Sequence, residues 1–123
     1  GITELGGGAV MLYGLDYSLT MYIPLQTAKK IAEIRGISTR TDERMSIIDL
    51  LGDQIKDLDI KELYINDINE FGVYTGILKI SDYAYPVVPS EGLLLCSING
   101  SPIYFESELK GVEKTDETQM DYR

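Results

Sequence analysis

Apolar and polar residues alternate along several short stretches of the chain, which is the pattern of half-buried β-strands. Two pairs of these stretches flank short polar turns: residues 9–13 with 19–23, and residues 61–67 with 73–80. Strands joined by a short turn pair antiparallel, so each pair predicts a hairpin. Further extended segments are predicted at residues 83–88 and 103–105.

Helical spacing of apolar residues predicts a first helix over residues 26–35 and a second over residues 45–58. Gly36 follows the first helix, where a left-handed C-terminal cap belongs. The apolar positions of the second helix keep a three- and four-residue spacing and are expected to form one buried face. These positions are Ile47, Ile48, Leu51, Ile55 and Leu58.

A third helix is predicted over residues 91–98, with Ser90 as its N-cap and a stop at Gly100 and Pro102. It is apolar along most of its length, since four consecutive residues, Leu93 to Cys96, are apolar. A helix without a polar face is buried on most sides, so we expect it in the core or at a subunit interface.

Strands that come in adjacent pairs between helices predict an α+β fold with a mixed, mostly antiparallel sheet and about three helices. We expect one domain over residues 1–112 and a polar, flexible tail over residues 113–123. Residues 6–8 are three glycines and are expected to form a flexible leader. No secretory signal or membrane span is visible, and a lone cysteine, Cys96, suits a reducing compartment, so cytoplasm is the expected location.

The chain carries a net charge of −9 and has no histidine. The charge opposes non-specific attraction to nucleic acid, and the missing histidine removes the commonest general base. One local excess of positive charge runs from Lys29 and Lys30 to Arg40 and Arg44. Two interpretations stay open: a binding patch for phosphate or another anion, or a solvated helix face followed by a charged loop.

Two motifs carry a resemblance to a known family. The first runs from Pro89-Ser90-Glu91 through an apolar helix to Gly100-Ser101-Pro102-Ile103-Tyr104, and the second is Arg44 followed by Asp49-Leu50-Leu51. With the stretch 21–26 and the hairpin 64–78, and in their order along the chain, these motifs resemble the bifunctional nuclease domain family over about residues 9–112. The chain departs from the family pattern where Val88 replaces an arginine and where Met45, Ile47 and Ile48 replace a proline, a threonine and a histidine.

The resemblance implies a small homo-oligomeric α+β protein related to RNases and DNases. It nominates Arg44, Asp49 and Glu91 as catalytic residues, with Asp49 and Glu91 holding Mg²⁺ or Mn²⁺ and Arg44 clamping a phosphate. Lys29, Lys30 and Arg40 would then bind substrate. The plain alternatives are a solvated Asp49, a Glu91 that complements a helix N-terminus, and an Arg44 paired with a nearby carboxylate.

Because the family's polar residues are lost at several motif positions, we expect at most a weak metal-dependent DNase or RNase, or an inactive relative. The alternative function is a non-catalytic, oligomeric binding or interaction module. Nucleic acid is a partner that the net charge disfavours, and a membrane is not an expected partner.

Overall fold

The computed structural model describes residues 1–39 and 44–115, and in these ranges the chain forms three helices and eight strands. In chain order the elements are β1 (Ile2–Gly6), β2 (Ala9–Tyr13), β3 (Tyr17–Tyr22), α1 (Leu25–Ile34), α2 (Ile47–Lys56), β4 (Ile60–Ile68), β5 (Tyr74–Ile80), β6 (Tyr83–Val87), α3 (Pro89–Asn99), β7 (Ile103–Phe105) and β8 (Val112–Lys114). The predicted α+β class is confirmed. None of the helices in the described ranges is long and apolar enough to cross a membrane.

The strands form two four-stranded sheets, ordered β1-β2-β3-β8 and β6-β5-β4-β7. Every neighbouring pair is antiparallel except β4 and β7, which run parallel with Leu63 opposite Ile103. This pair is parallel because α3 carries the chain back across the sheet before β7 begins, as parallel strands require. The prediction of a mostly antiparallel arrangement is therefore confirmed.

Helix α3 is a core helix. Leu93 and Cys96 are fully buried and belong to the same apolar cluster as Leu63 of β4. A Cβ atom added at Gly92 would lie 2.7 Å from Cδ1 of Leu63, so the glycine lets the helix approach the sheet closely. Of the two predicted positions for this apolar helix, the structure places it in the domain core.

The start of α3 differs from the prediction. Val88 occupies the N-cap and Pro89 the first helical position, so Ser90 lies inside the first turn and makes no side-chain cap. Proline is suited to that first position because its fixed φ matches the helix and its missing N–H would have no partner there. The prediction of Ser90 as N-cap is therefore wrong.

The glycines at residues 6–8 form a turn, which corrects the expected flexible leader. All three have positive φ, and they connect β1 to β2 in an antiparallel hairpin with Ile2 opposite Leu12. Ile2 is buried in the core cluster. Glycine adopts positive φ without strain, so a run of glycines that suggests mobility also permits a tight turn.

The apolar positions of α2 are mostly exposed, which corrects the expected buried face. Only Ile55 is buried, whereas Ile47 is 68%, Leu50 64% and Leu51 43% exposed. Leu58, predicted to belong to the same helix, lies beyond its end at Lys56 and is also 43% exposed. Amphipathic spacing predicts that an apolar stripe exists, but it does not specify what covers the stripe.

The end of the domain also differs slightly from the expected boundary at residue 112. Strand β8 pairs with β3 as far as Lys114, opposite Tyr17, so the first residues of the predicted tail belong to a sheet. Residues 116–123, the rest of that tail, and residues 40–43 lie outside the described residues.

Candidate functional site

A cavity of about 350 Å³ lies between α1 and the start of α2. Its lining residues are Gln26, Thr27, Lys29, Lys30, Glu33, Arg44, Ser46, Ile48 and Leu94. We call it the basic cavity, because Lys29, Lys30 and Arg44 face it against one lining acid, Glu33. Three of the residues predicted from the sequence to bind substrate or phosphate are therefore brought together by the fold.

The ammonium group of Lys30 connects α1 to the first turn of α2. Its Nζ atom lies 3.0 Å from Oδ1 of Asp49 and 3.3 Å from Oε1 of Glu33. Desolvation lowers the pKa of Lys30, but the hydrogen bonds and negative charges of Asp49 and Glu33 outweigh that effect, so the pKa is raised. Lys30 is therefore a cation held in one place at neutral pH.

The carboxylate of Asp49 caps α2. Its Oδ2 atom accepts a hydrogen bond from the backbone N–H of Ser46 at 2.9 Å, and the Ser46 hydroxyl accepts one from the Asp49 N–H at 3.3 Å. The Ser46 N–H, followed by the Lys30 ammonium, lowers the pKa of Asp49 to about 2. A carboxylate with such a low pKa is a weak proton acceptor.

The sequence contains the signal for the role of Asp49 in capping α2. Ser46 and Asp49 have the Ser-x-x-Asp spacing of a capping box, in which side chain and backbone satisfy each other at a helix start. The resemblance drew attention to Asp49 as a catalytic residue and metal ligand instead. A metal ion bound there would compete with the hydrogen bonds that hold this helix end.

Lys29 and Arg44 supply the exposed positive charge of the basic cavity. Lys29 lies on α1, and in the described part of the chain it has no acidic partner. Arg44 stands just before α2, two residues from the capping Ser46. Arg40, the third residue predicted to bind substrate, lies outside the described residues.

Glu91 is separated from this group. It is an exposed residue in the first turn of α3 and does not line the basic cavity, whereas Leu94, one turn later, does. Within residues 1–39 and 44–115, no three His, Cys, Asp or Glu residues are placed to hold a metal ion together. The metal-ligand roles of Asp49 and Glu91 stay predictions.

Cys96 is a core residue and a poor nucleophile. Burial raises the pKa of its thiol to about 11, while the nearby Arg35 acts in the opposite direction. The thiolate is the reactive form of cysteine, and at neutral pH very little of it is present.

Fold and site together define a small α+β domain with a basic cavity between α1 and the start of α2. No protein-family model matches the chain, and no curated protein matches it. The resemblance to the bifunctional nuclease domain family stays a prediction, carried by the motifs around Arg44 and Pro89.

Proposed function

We propose that this chain is a non-catalytic binding module that holds a small anionic ligand in the basic cavity. The observation that carries the proposal is the convergence of Lys29, Lys30 and Arg44 on one cavity in a protein whose net charge is −9. Cationic side chains and hydroxyl groups are the usual donors to phosphate and carboxylate oxygens.

The size and lining of the basic cavity indicate the class of ligand. Its volume of about 350 Å³ lies near the lower end of the roughly 300–1,000 Å³ of small-molecule sites. Thr27 and Ser46 add hydroxyl groups, while Ile48 and Leu94 add an apolar wall. A compact anion with a small apolar part fits these features. A long polyanion does not, because the net charge of the whole protein repels it.

Three features favour binding over hydrolysis of nucleic acid. Asp49 is occupied by the capping box and by Lys30. Glu91 is outside the basic cavity, and the sequence has no histidine to act as a general base. A weak nuclease related to the bifunctional nuclease family is the second candidate function. It is favoured only by the position of Arg44 in the cavity.

We further propose that the chain self-associates through the exposed apolar stripe of α2, formed by Ile47, Leu50 and Leu51. The spacing of these residues is that of a helix that packs against another helix. Large apolar side chains concentrated on one exposed face are typical of protein interaction surfaces. A homo-oligomer built in this way leaves α3 in the core of each domain.

Calorimetric titration with inorganic phosphate and with phosphate monoesters tests the anion site. We expect saturable binding that weakens roughly threefold to tenfold in each of Lys29→Ala and Arg44→Ala, as expected for partly exposed charges. Lys61→Ala is the matched control. Lys61 lies in β4, pairs with Asp59 and does not line the cavity. Equal weakening in all three variants would show a general charge effect and would reject the site.

A cleavage assay separates the two functions. Plasmid DNA and RNA are incubated with Mg²⁺ or Mn²⁺ and with the wild-type chain, Arg44→Ala or Asp49→Asn. We expect that none of the three proteins cleaves DNA or RNA above background. Cleavage that disappears in both variants, while thermal unfolding shows them folded, would instead establish the nuclease.

A further inference from the structure

A second cavity, of about 160 Å³, lies where the end of α1 meets strand β7. Its lining includes Arg35, the C-cap residue of α1, and Ile103 and Phe105 of β7, together with Leu12 and Tyr13 at the end of β2. We call it the Arg35 cavity. Among the described residues, none lines both this cavity and the basic cavity.

The guanidinium group of Arg35 is held in place without being neutralised. Its Nε atom donates a hydrogen bond to Oγ of Ser97 on α3 at 2.7 Å, and that hydroxyl donates in turn to the carbonyl oxygen of Leu93, also at 2.7 Å. In residues 1–39 and 44–115, no carboxylate lies within ion-pair distance of Arg35. Desolvation lowers the pKa of Arg35 below its ordinary value. The N–H groups on its two Nη atoms are therefore available to an oxyanion.

The outer edge of β7 brings backbone donors and acceptors to the same cavity. Within the described part of the chain, β7 is the last strand of its sheet and pairs with β4 alone. The N–H of Leu63 donates to the carbonyl of Pro102 just before β7, and the N–H of Glu106 just after β7 donates back to β4, both at 3.1 Å. In a parallel ladder with this register, residues 103 and 105 direct their N–H and C=O groups away from β4. Ile103 and Phe105 are the β7 residues that line the cavity, so it contains an open strand edge as well as a guanidinium.

These two features together indicate the chemistry of a ligand. The fork of a guanidinium matches the two oxygens of a carboxylate, and an open strand edge pairs with the amide groups of an extended chain. An N-acyl amino acid and the C-terminal residue of a peptide carry a carboxylate and an amide side by side. Arg35 is the one cationic side chain among the described lining residues, which suits a singly charged carboxylate better than a doubly charged phosphate.

We infer that the Arg35 cavity binds the carboxylate of an N-acyl amino acid or of a peptide C-terminus. Arg35 binds the carboxylate, and the outward backbone groups of β7 pair with the adjacent amide. The volume lies below the roughly 300 Å³ at which drug-sized sites begin, so only the terminal residue enters the cavity. This site is separate from the basic cavity and does not depend on the proposed function of that cavity.

Titration of the ¹⁵N-labelled chain with N-acetylglycine, followed by NMR, tests the inference. We expect saturable shifts of the Arg35 Nε–H signal and of the Ile103 and Phe105 amides. Acetate, which lacks the amide, should bind more weakly, and N-acetylglycinamide, which lacks the charge, should not bind. N-acetyltriglycine distinguishes the two sources of the ligand: tighter binding identifies a peptide C-terminus, and equal binding identifies an N-acyl amino acid.

Substitution of Arg35 measures the contribution of the guanidinium. Arg35→Ala should weaken binding of N-acetylglycine at least about tenfold, as for loss of a hydrogen-bonded charge. Arg35→Lys should restore only part of the affinity, because an ammonium group does not match two carboxylate oxygens at once. Lys61→Ala, at an exposed cation outside the cavity, is the matched control. Thermal unfolding checks that each variant is folded.

A second variant keeps the test independent of a change at Arg35 itself. Ser97→Ala removes the acceptor that fixes Nε without altering the cavity lining, so binding should weaken about threefold through the cost of ordering a freer side chain. The double variant Lys29→Ala, Arg44→Ala should bind N-acetylglycine as the wild type does, even where it loses phosphate. The inference is overturned if N-acetylglycine does not bind saturably, if N-acetylglycinamide binds equally well, or if binding follows Lys29 and Arg44 instead of Arg35.

Discussion

At the scale of single residues, the contacts of Asp49 and Ser46 decide how the start of α2 is held. The two residues exchange hydrogen bonds across the first helical turn, and Lys30 attaches the same carboxylate to α1. These contacts keep Arg44 and Ser46 at the edge of the basic cavity. Asp49, which the resemblance nominated for catalysis, thus holds the start of α2 next to the basic cavity.

Removal of the cap should destabilise the protein measurably. Ser46→Ala deletes the hydroxyl that accepts from the Asp49 N–H, and loss of an N-cap costs about 1 kcal/mol in the free energy of unfolding. Urea denaturation measures the change. Ser107→Ala, at an exposed serine, should leave the midpoint unchanged, and equal effects of the two variants would contradict the capping role.

The Asp49 carboxylate should also give the stability a defined acid dependence. Its pKa is about 2 in the folded chain and 3.8 ordinarily, so the carboxylate stabilises the fold above the ordinary value and this contribution is lost as the pH falls toward 2. Asp49→Asn keeps an acceptor for Ser46 but loses the charge that pairs with Lys30. The melting temperatures of wild type and variant should therefore differ at pH 7 and converge near pH 2. A difference that persists in acid would show that the ion pair is not its cause.

At the scale of elements, sequence patterns predict where helices and strands form better than they predict what covers them. The β2–β3 and β4–β5 hairpins, the three helices and the left-handed Gly36 with φ of 74° follow from local spacing and backbone chemistry. The β1–β2 hairpin was missed, because its three glycines suggested a flexible segment. The exposed stripe of α2 and the burial of α3 depend on which elements meet in three dimensions. Ser90 was misplaced because Pro89 is a still better start for a helix than a serine cap.

The β1–β2 turn provides a test with a matched pair of glycines. Gly7 and Gly8 both have positive φ, but a Cβ atom at Gly8 would lie 2.6 Å from the carbonyl oxygen of Ile23, whereas one at Gly7 would meet nothing within 4 Å. Gly7→Ala should cost about 1–2 kcal/mol for the left-handed backbone alone. Gly8→Ala should cost more, since backbone atoms must also move. Equal unfolding midpoints for the two variants would contradict the described turn.

The apolar stripe of α2 gives the prediction on assembly. Leu50→Glu places a charge in the centre of the stripe, so the mass measured by light scattering should fall to the 13.7 kDa of one chain. The fold should tolerate this change within about 0.5 kcal/mol because Leu50 is 64% exposed. Leu15→Glu, at an 85% exposed leucine in the β2–β3 turn, should leave the mass unchanged. A wild-type chain that is already monomeric would contradict self-association.

At the scale of the whole molecule, the notable feature is a local concentration of positive charge in a strongly acidic protein. The basic cavity brings together cations from α1 and the start of α2. The local excess of positive charge was visible in the sequence. The contribution of Leu94 to the same cavity could not be predicted from the sequence, because it depends on how α3 packs against α1 and α2.

The most direct test of the account is an NMR titration of the ¹⁵N-labelled chain with inorganic phosphate. The account predicts saturable amide shifts confined to the residues around the basic cavity, chiefly Gln26 to Lys30 and Arg44 to Ile48, and their loss in the double variant Lys29→Ala, Arg44→Ala. Shifts that are absent, spread over the whole surface, or unchanged in that variant would contradict the claim that this cavity is a binding site for anions.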